Sequence, residues 1–144
     1  MKLWLLTCLI VAAATWVGGA RASTSICTEG TCAGSSSNVM VGTYADDQIW
    51  GDGHANTLKG KKGNDRLWGY GNEDTLEGGN GDDWLKGGAG EDLLSGLAGD
   101  DTINAREWGA QRTDYVFCGW GLDTVLAVKG GVDWIDPDCE RVIT

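Results

Sequence analysis

The chain has 144 residues, 24 of them glycine and one proline, and a formal net charge of −10 at pH 7. That length holds one domain at most beside a processing segment, and so acidic a chain is excluded from nucleic acid and from anionic membrane surfaces. His54 is the sole histidine, which leaves little material for a nucleophile–base pair, and an enzyme is not expected.

Residues 1–22, MKLWLLTCLIVAAATWVGGARA, combine Lys2, an apolar run over 3–17 and the small-residue ending Ala20-Arg21-Ala22. This is the layout of a signal peptide cut after Ala22. The run is shorter than the roughly 20 apolar residues that a membrane span needs, so no membrane insertion is expected and the mature chain would be secreted. Cleavage removes Lys2 and Arg21 and no acid, making the remainder more acidic still.

Export also bears on the cysteines. Cys27, Cys32, Cys118 and Cys139 remain after cleavage, and an even number in an exported chain reads as disulfides. Three connectivities exist. Cys27–Cys32 with Cys118–Cys139 is favoured, because the long tract between the two pairs holds them apart. Zinc fits poorly, since His54 is the single histidine and the cysteine spacing is wrong for a structural site. Residues 23–41 read as an N-terminal cysteine loop and linker, either a cap over the adjoining tract or a tail.

From Gly42 the chain divides without a gap into seven nine-residue units: GTYADDQIW, GDGHANTLK, GKKGNDRLW, GYGNEDTLE, GGNGDDWLK, GGAGEDLLS and GLAGDDTIN, covering 42–104. Position 1 is always Gly. Position 6 is Asp except for Asn56. Position 8 is always aliphatic. One aliphatic residue in nine makes neither a helix face nor an ordinary amphipathic strand. It makes a solenoid, in which each unit is a tight turn followed by a very short strand with position 8 inward and positions 7 and 9 outward. Glycine at position 1, and often at 2 or 4, allows backbone angles that a Cβ forbids and brings the turn backbone close to a ligand.

Two units complete a coil, so residues 18 apart stack at roughly the 4.8 Å strand spacing. Asp47, Asp65, Asp83 and Asp101 then line one edge, and Asn56, Asp74 and Asp92 the other. Unit charges about 4 Å apart at a surface-like dielectric repel by roughly 4 kcal/mol, so the stack needs a counterion. Carboxylates supplemented by turn carbonyls suit the six to eight oxygen ligands of calcium, whereas magnesium demands a tighter octahedron.

The tract resembles the repeats-in-toxin, or hemolysin-type, calcium-binding nonapeptide family, whose motif is GGxGxDxUx; residues 78–83 and 87–92 match the GGxGxD portion fully. The resemblance implies a right-handed parallel β-roll with calcium between turns of alternate repeats, held by position-6 Asp and backbone carbonyls. It implies the ligand pairs Asp47/Asp65, Asp65/Asp83, Asp83/Asp101, Asn56/Asp74 and Asp74/Asp92, hence up to about five Ca2+ ions, with Asn56/Asp74 weakest. Asp46, Asp82 and Asp100 at position 5 would add ligands.

Residues 105–144 continue the pattern imperfectly. After an insert at 105–108, Asp114-Tyr115-Val116 and Asp123-Thr124-Val125 fall back in phase, and Asp133-Trp134-Ile135 comes after them loosely. The layout is similar to the closing segment of small exported bacterial members of the family, and implies degenerate repeats capped by Cys118–Cys139. Large toxins of the family carry an effector domain and a C-terminal export signal; neither is expected here.

Trp50 and Trp68 both stand at position 9, 18 residues apart, and should stack outward on one face. Such a pair either covers the thin coil or offers a face to an extracellular glycan or protein.

Overall fold

In a computed structural model, the described residues are 9–10, 24–26, 31–33, 38–106, 112–127 and 133–144. Apart from Leu9–Ile10, the expected signal segment lies outside them, as does Cys27 of the expected Cys27–Cys32 pair.

Among these residues the strands form two sheets. The first contains, in spatial order, β1 (Leu9–Ile10), β2 (Thr24–Ile26), β4 (Val39–Val41), β6 (Thr57–Lys62), β8 (Thr75–Asn80), β10 (Leu93–Ala98), β12 (Tyr115–Trp120) and β14 (Trp134–Ile135). The second contains β3 (Thr31–Ala33), β5 (Gln48–Trp50), β7 (Arg66–Gly71), β9 (Trp84–Ala89), β11 (Thr102–Asn104), β13 (Thr124–Leu126) and β15 (Arg141–Ile143). Apart from the antiparallel β1–β2 pair, every pairing is parallel, and chain order alternates between the sheets. This is an all-β parallel solenoid, a β-roll.

The register tracks the repeat. Leu58 stands beside Leu76 and Leu76 beside Leu94 in one sheet, while Ile49, Leu67, Leu85 and Ile103 align in the other. Met40, the aliphatic residues at position 8, Val116 and Val125 have no exposed surface and form one continuous core. Burying each such side chain contributes roughly 1.5–3 kcal/mol, and with so thin a core, stacking of neighbours supplies the rest.

Strand length departs from the expectation. The central strands run six residues, through positions 7–9 and on through positions 1–3 of the next unit. The turn proper shrinks to positions 4–6, because position-4 amides still bond the neighbouring coil, as Gly81 N–H does to Ala98 O at 2.8 Å. The stack also starts before Gly42: Ser25 pairs with Met40, Met40 with Leu58, and Cys32 with Ile49.

Beyond Asn104 the insert is absorbed without loss of register. Leu94 lies beside Val116 and Ile103 beside Val125, and then Val116 beside Ile135 and Val125 beside Val142. Cys118 and Cys139 are bonded with their Cα atoms 5.3 Å apart, and Ile135 and Cys139 pack against the core end. A disulfide closing a loop of about 20 residues stabilises by roughly 3 kcal/mol.

Candidate metal centre

Position 6 forms a ladder along each edge. The Asp65 carboxylate accepts from the Asp47 amide at 2.7 Å, Asp83 from Asp65 at 2.7 Å and Asp101 from Asp83 at 2.8 Å. On the other edge, Asp74 accepts from Asn56 at 2.8 Å and Asp92 from Asp74 at 2.9 Å. Every position-6 residue expected as a ligand is buried.

The ladder is longer than the repeat consensus alone implies. Asp92 donates its amide to Asp114 at 2.9 Å, Asp101 to Asp123 at 2.8 Å, Asp114 to Asp133 at 3.3 Å and Asp123 to Glu140 at 2.9 Å. Asp114 and Asp123 are in phase in the sequence but stand outside the ligand set drawn from it. The signal that identifies Asp123 is glycine at positions 2 and 4. Gly119 and Gly121 take φ of 103° and 145°, as Gly79 and Gly81 do at 131° and 122°.

The aspartates of the ladder accept these bonds at Oδ1. The second oxygen, Oδ2, of Asp65, Asp74, Asp83, Asp101 and Asp123 is buried and receives no hydrogen bond. Buried acceptors of this kind call for a partner. What surrounds them is also acceptor. A Cβ placed on Gly60 would meet both Asp65 Oδ2 and, at 2.5 Å, Gly78 O; one on Gly69 would meet Asp74 Oδ2 and, at 2.6 Å, Gly87 O. This explains the glycine at position 1: the carboxylate of its own turn lies over it, and φ there is not left-handed. The carbonyls of positions 2 and 4 face the next turn as well, Lys61 O and Gly63 O lying against Gly79 and Gly81. Carboxylate and carbonyl oxygens converge between turns without a donor, an arrangement that a hard cation completes.

Among the described residues, no three His, Cys, Asp or Glu side chains lie close enough to hold a metal by themselves. A cation here would take one carboxylate per turn and draw the rest of its shell from the backbone. Burial raises Asp65 to about 6 and Asp74, Asp83 and Asp101 to about 7; the amide bond from the preceding turn pulls each back, and stacked neighbours push it up again. Without a cation, these four carboxylates therefore hold their protons to well above the ordinary carboxylate range.

The first two turns are different. Asp47 Oδ2 accepts from the Thr43 amide at 2.6 Å and from Thr43 Oγ1 at 3.0 Å, and Asn56 Oδ1 accepts from the Asp52 amide at 2.7 Å. Left-handed φ at positions 2 and 4 begins with Lys61 and Gly63. These two turns fill their own acceptors.

The position-5 residues Asp46, Asp82 and Asp100 are exposed. Each accepts an amide from the next coil, from Asn64, Asp100 and Leu122 respectively, at 2.8, 2.9 and 2.9 Å. They form an outer ladder on one edge. His54 projects into solvent beside Asp52.

Trp50 and Trp68 stack on the second sheet, centroids 5.2 Å apart and planes 16° off parallel, and Trp84 adds a tilted ring 5.2 Å from Trp68. No described helix is long and apolar enough to cross a membrane.

Comparison with known proteins agrees with this geometry. The family model described as RTX calcium-binding nonapeptide repeat (4 copies) matches at residues 33–67, 50–85 and 68–103, about half of the chain in all. No curated protein and no solved structure matches the chain.

Proposed function

Since this chain carries RTX calcium-binding nonapeptide repeats on an aspartate-laddered β-roll, we propose that it is a secreted calcium-binding module whose fold is completed by the ions it holds. Calcium binding as a structural module is the family's property. The distribution of ions along this chain is our own reading.

The observation that carries it is the set of buried, partnerless Oδ2 atoms on Asp65, Asp74, Asp83, Asp101 and Asp123. Four inter-turn gaps have left-handed backbone at positions 2 and 4 of both turns: Asp65/Asp83, Asp83/Asp101, Asp101/Asp123 and Asp74/Asp92. The Asp92/Asp114 gap is in register but includes residues 109–111, outside the described residues. The expected Asp47/Asp65 and Asn56/Asp74 sites have first members already satisfied by Thr43 and Asp52. The count expected from the repeats is thus nearly kept, but the occupied stretch moves one coil toward the C-terminus.

Calcium binds the folded stack and scarcely the unfolded chain, so it stabilises by linkage. Extracellular calcium modules commonly bind at about 0.1–1 mM, which would leave the chain loose inside the cell and rigid outside, in a structural or calcium-buffering role. Titrating the oxidised 23–144 chain with calcium, followed by far-UV circular dichroism with magnesium as control, tests this. A cooperative gain of β signal with calcium alone supports it; an equal response to magnesium refutes it.

A second reading has a specific observation behind it. The Trp50–Trp68 stack with Trp84 beside it forms an aromatic row on one outer face, suited to binding a glycan or protein on a calcium-stabilised scaffold.

A further inference from the structure

The row of Trp50, Trp68 and Trp84 runs beside a cleft of about 220 Å³ lined by Trp68, Tyr70, Lys86 and Arg106 and floored by residues 87–89. The repeat shows how it arises. Position 2 on this sheet reads Tyr70, Gly88, Arg106 at intervals of 18, with Tyr70 directly beside Gly88 in the register. Gly88 contributes no side chain, so the row has a gap one coil wide. Trp68 and Lys86, neighbours at position 9, form the adjoining wall.

Its charge is opposite to that of the chain. Lys59, on the other sheet, is paired with Glu77 at 2.6 Å. Lys86 and Arg106 have no carboxylate in ion-pair contact among the described residues. Arg106 Nε and Nη2 donate to Ala127 O at 3.2 Å and Ile143 O at 3.3 Å, which fixes the guanidinium and leaves three of its five N–H donors without a bond among the described residues. Two cations side by side in a protein of net charge −10, each with free donors and next to two aromatic rings, match one ligand chemistry: a ring with apolar faces and a carboxylate.

We propose that this cleft is a subsite for a carboxylated sugar ring of the uronic-acid type. The pyranose face lies on Trp68 and Tyr70, and its carboxylate accepts from Lys86 and Arg106 as charge-assisted hydrogen bonds. The volume is below the roughly 300–1,000 Å³ of ordinary ligand pockets, so it takes a single ring, and the Trp50–Trp68 stack continues as a track for further rings of a chain. The subsite rests on the calcium-folded roll, because Gly88, Tyr70 and Lys86 are brought together by coil stacking alone.

The test uses the calcium-loaded protein with methyl glucuronide, methyl glucoside and acetate as probes. Binding is read by tryptophan fluorescence and calorimetry, with circular dichroism on the same samples reporting the calcium-dependent fold. Glucuronide should bind about tenfold or more tighter than glucoside, which lacks the charge, and than acetate, which lacks the ring. Lys86→Gln should remove about tenfold of the glucuronide affinity without changing glucoside. Trp68→Ala should weaken both sugars. Equal binding of glucuronide and glucoside, acetate binding as well as glucuronide, or no sugar binding in a sample with an intact calcium-dependent fold would each overturn the subsite. Loss of the calcium response itself would instead refute the module on which the subsite rests.

Discussion

The turns at 42–47 and 51–56 and those between residues 60 and 101 share a nine-residue period, a glycine at position 1 and a buried polar side chain at position 6, yet they solve the same problem differently. In the first two, a backbone amide at position 2, from Thr43 or Asp52, donates to the position-6 oxygen. In the later turns position 2 swings into left-handed φ, as at Lys61 and Gly79, and the same oxygen is left facing carbonyls. On the proposed distribution of ions, position 6 alone does not make a calcium site. The backbone conformation at positions 2 and 4 decides whether the carboxylate is closed by its own turn or left for a cation.

The largest effect should come from Asp83, which belongs to two of the proposed gaps. Asp83→Ala removes a carboxylate from both and leaves the Asp65 amide without its acceptor. We expect a loss of roughly 3 kcal/mol or more of calcium-loaded stability by denaturant titration. Asp47→Ala should cost about 1 kcal/mol, the worth of a turn-closing hydrogen bond, at all calcium concentrations. Comparable losses from both would erase the distinction between the two kinds of turn.

Next in size is the C-terminal bridge. Converting Cys118 and Cys139 to Ser should cost about 3 kcal/mol and expose the Asp101/Asp123 gap first, seen as faster amide exchange over residues 115–126 than over 57–62.

Acidity separates the two forms of the protein. In the calcium-free roll Asp74, Asp83 and Asp101 hold protons to about pH 7, while in the unfolded chain they release them near pH 4. Between those values the folded state binds more protons, so stability without calcium falls as pH rises through that window. Calcium requires the ionised ladder, so its stabilisation grows over the same window. Melting temperatures in chelator and in calcium, measured from about pH 4.5 to 8, should therefore slope in opposite directions.

The smallest effect concerns the turn conformation itself. Leu97 sits at position 2 with φ of 81°, which costs an L-residue roughly 1–2 kcal/mol, and its side chain is half exposed. Leu97→Gly should stabilise the roll by about 1 kcal/mol and tighten calcium at the turn it shares with Asp101. A destabilising result would show that the left-handed turn is not strained there.

Much of this was legible in the chain. One aliphatic residue at position 8 gave the core, position 6 gave the two ladders, and Trp50 and Trp68 gave a stacked pair. Three features were not. Thr43 and Asp52 read as ordinary variation at position 2, because turn closure depends on where an amide points rather than on residue type. The insert after Asn104 breaks the period, so strand register is needed to set the in-phase Asp123 against Asp101, and to bring Glu140, which no repeat position marks, against Asp123. The unit at 33–41 has Ala33 in place of glycine at position 1 and Asn38 in place of aspartate at position 6, and backbone pairing places its Met40 in the core.

The central claim is that calcium occupies the later turns and passes over the first two. Native mass spectrometry of the calcium-saturated protein tests it most directly, counting ions in the parent chain, in Asp47→Asn and in Asp83→Asn. The account predicts the parent count for Asp47→Asn and two fewer ions for Asp83→Asn. Loss of an ion from Asp47→Asn, or an unchanged count in Asp83→Asn, would contradict it.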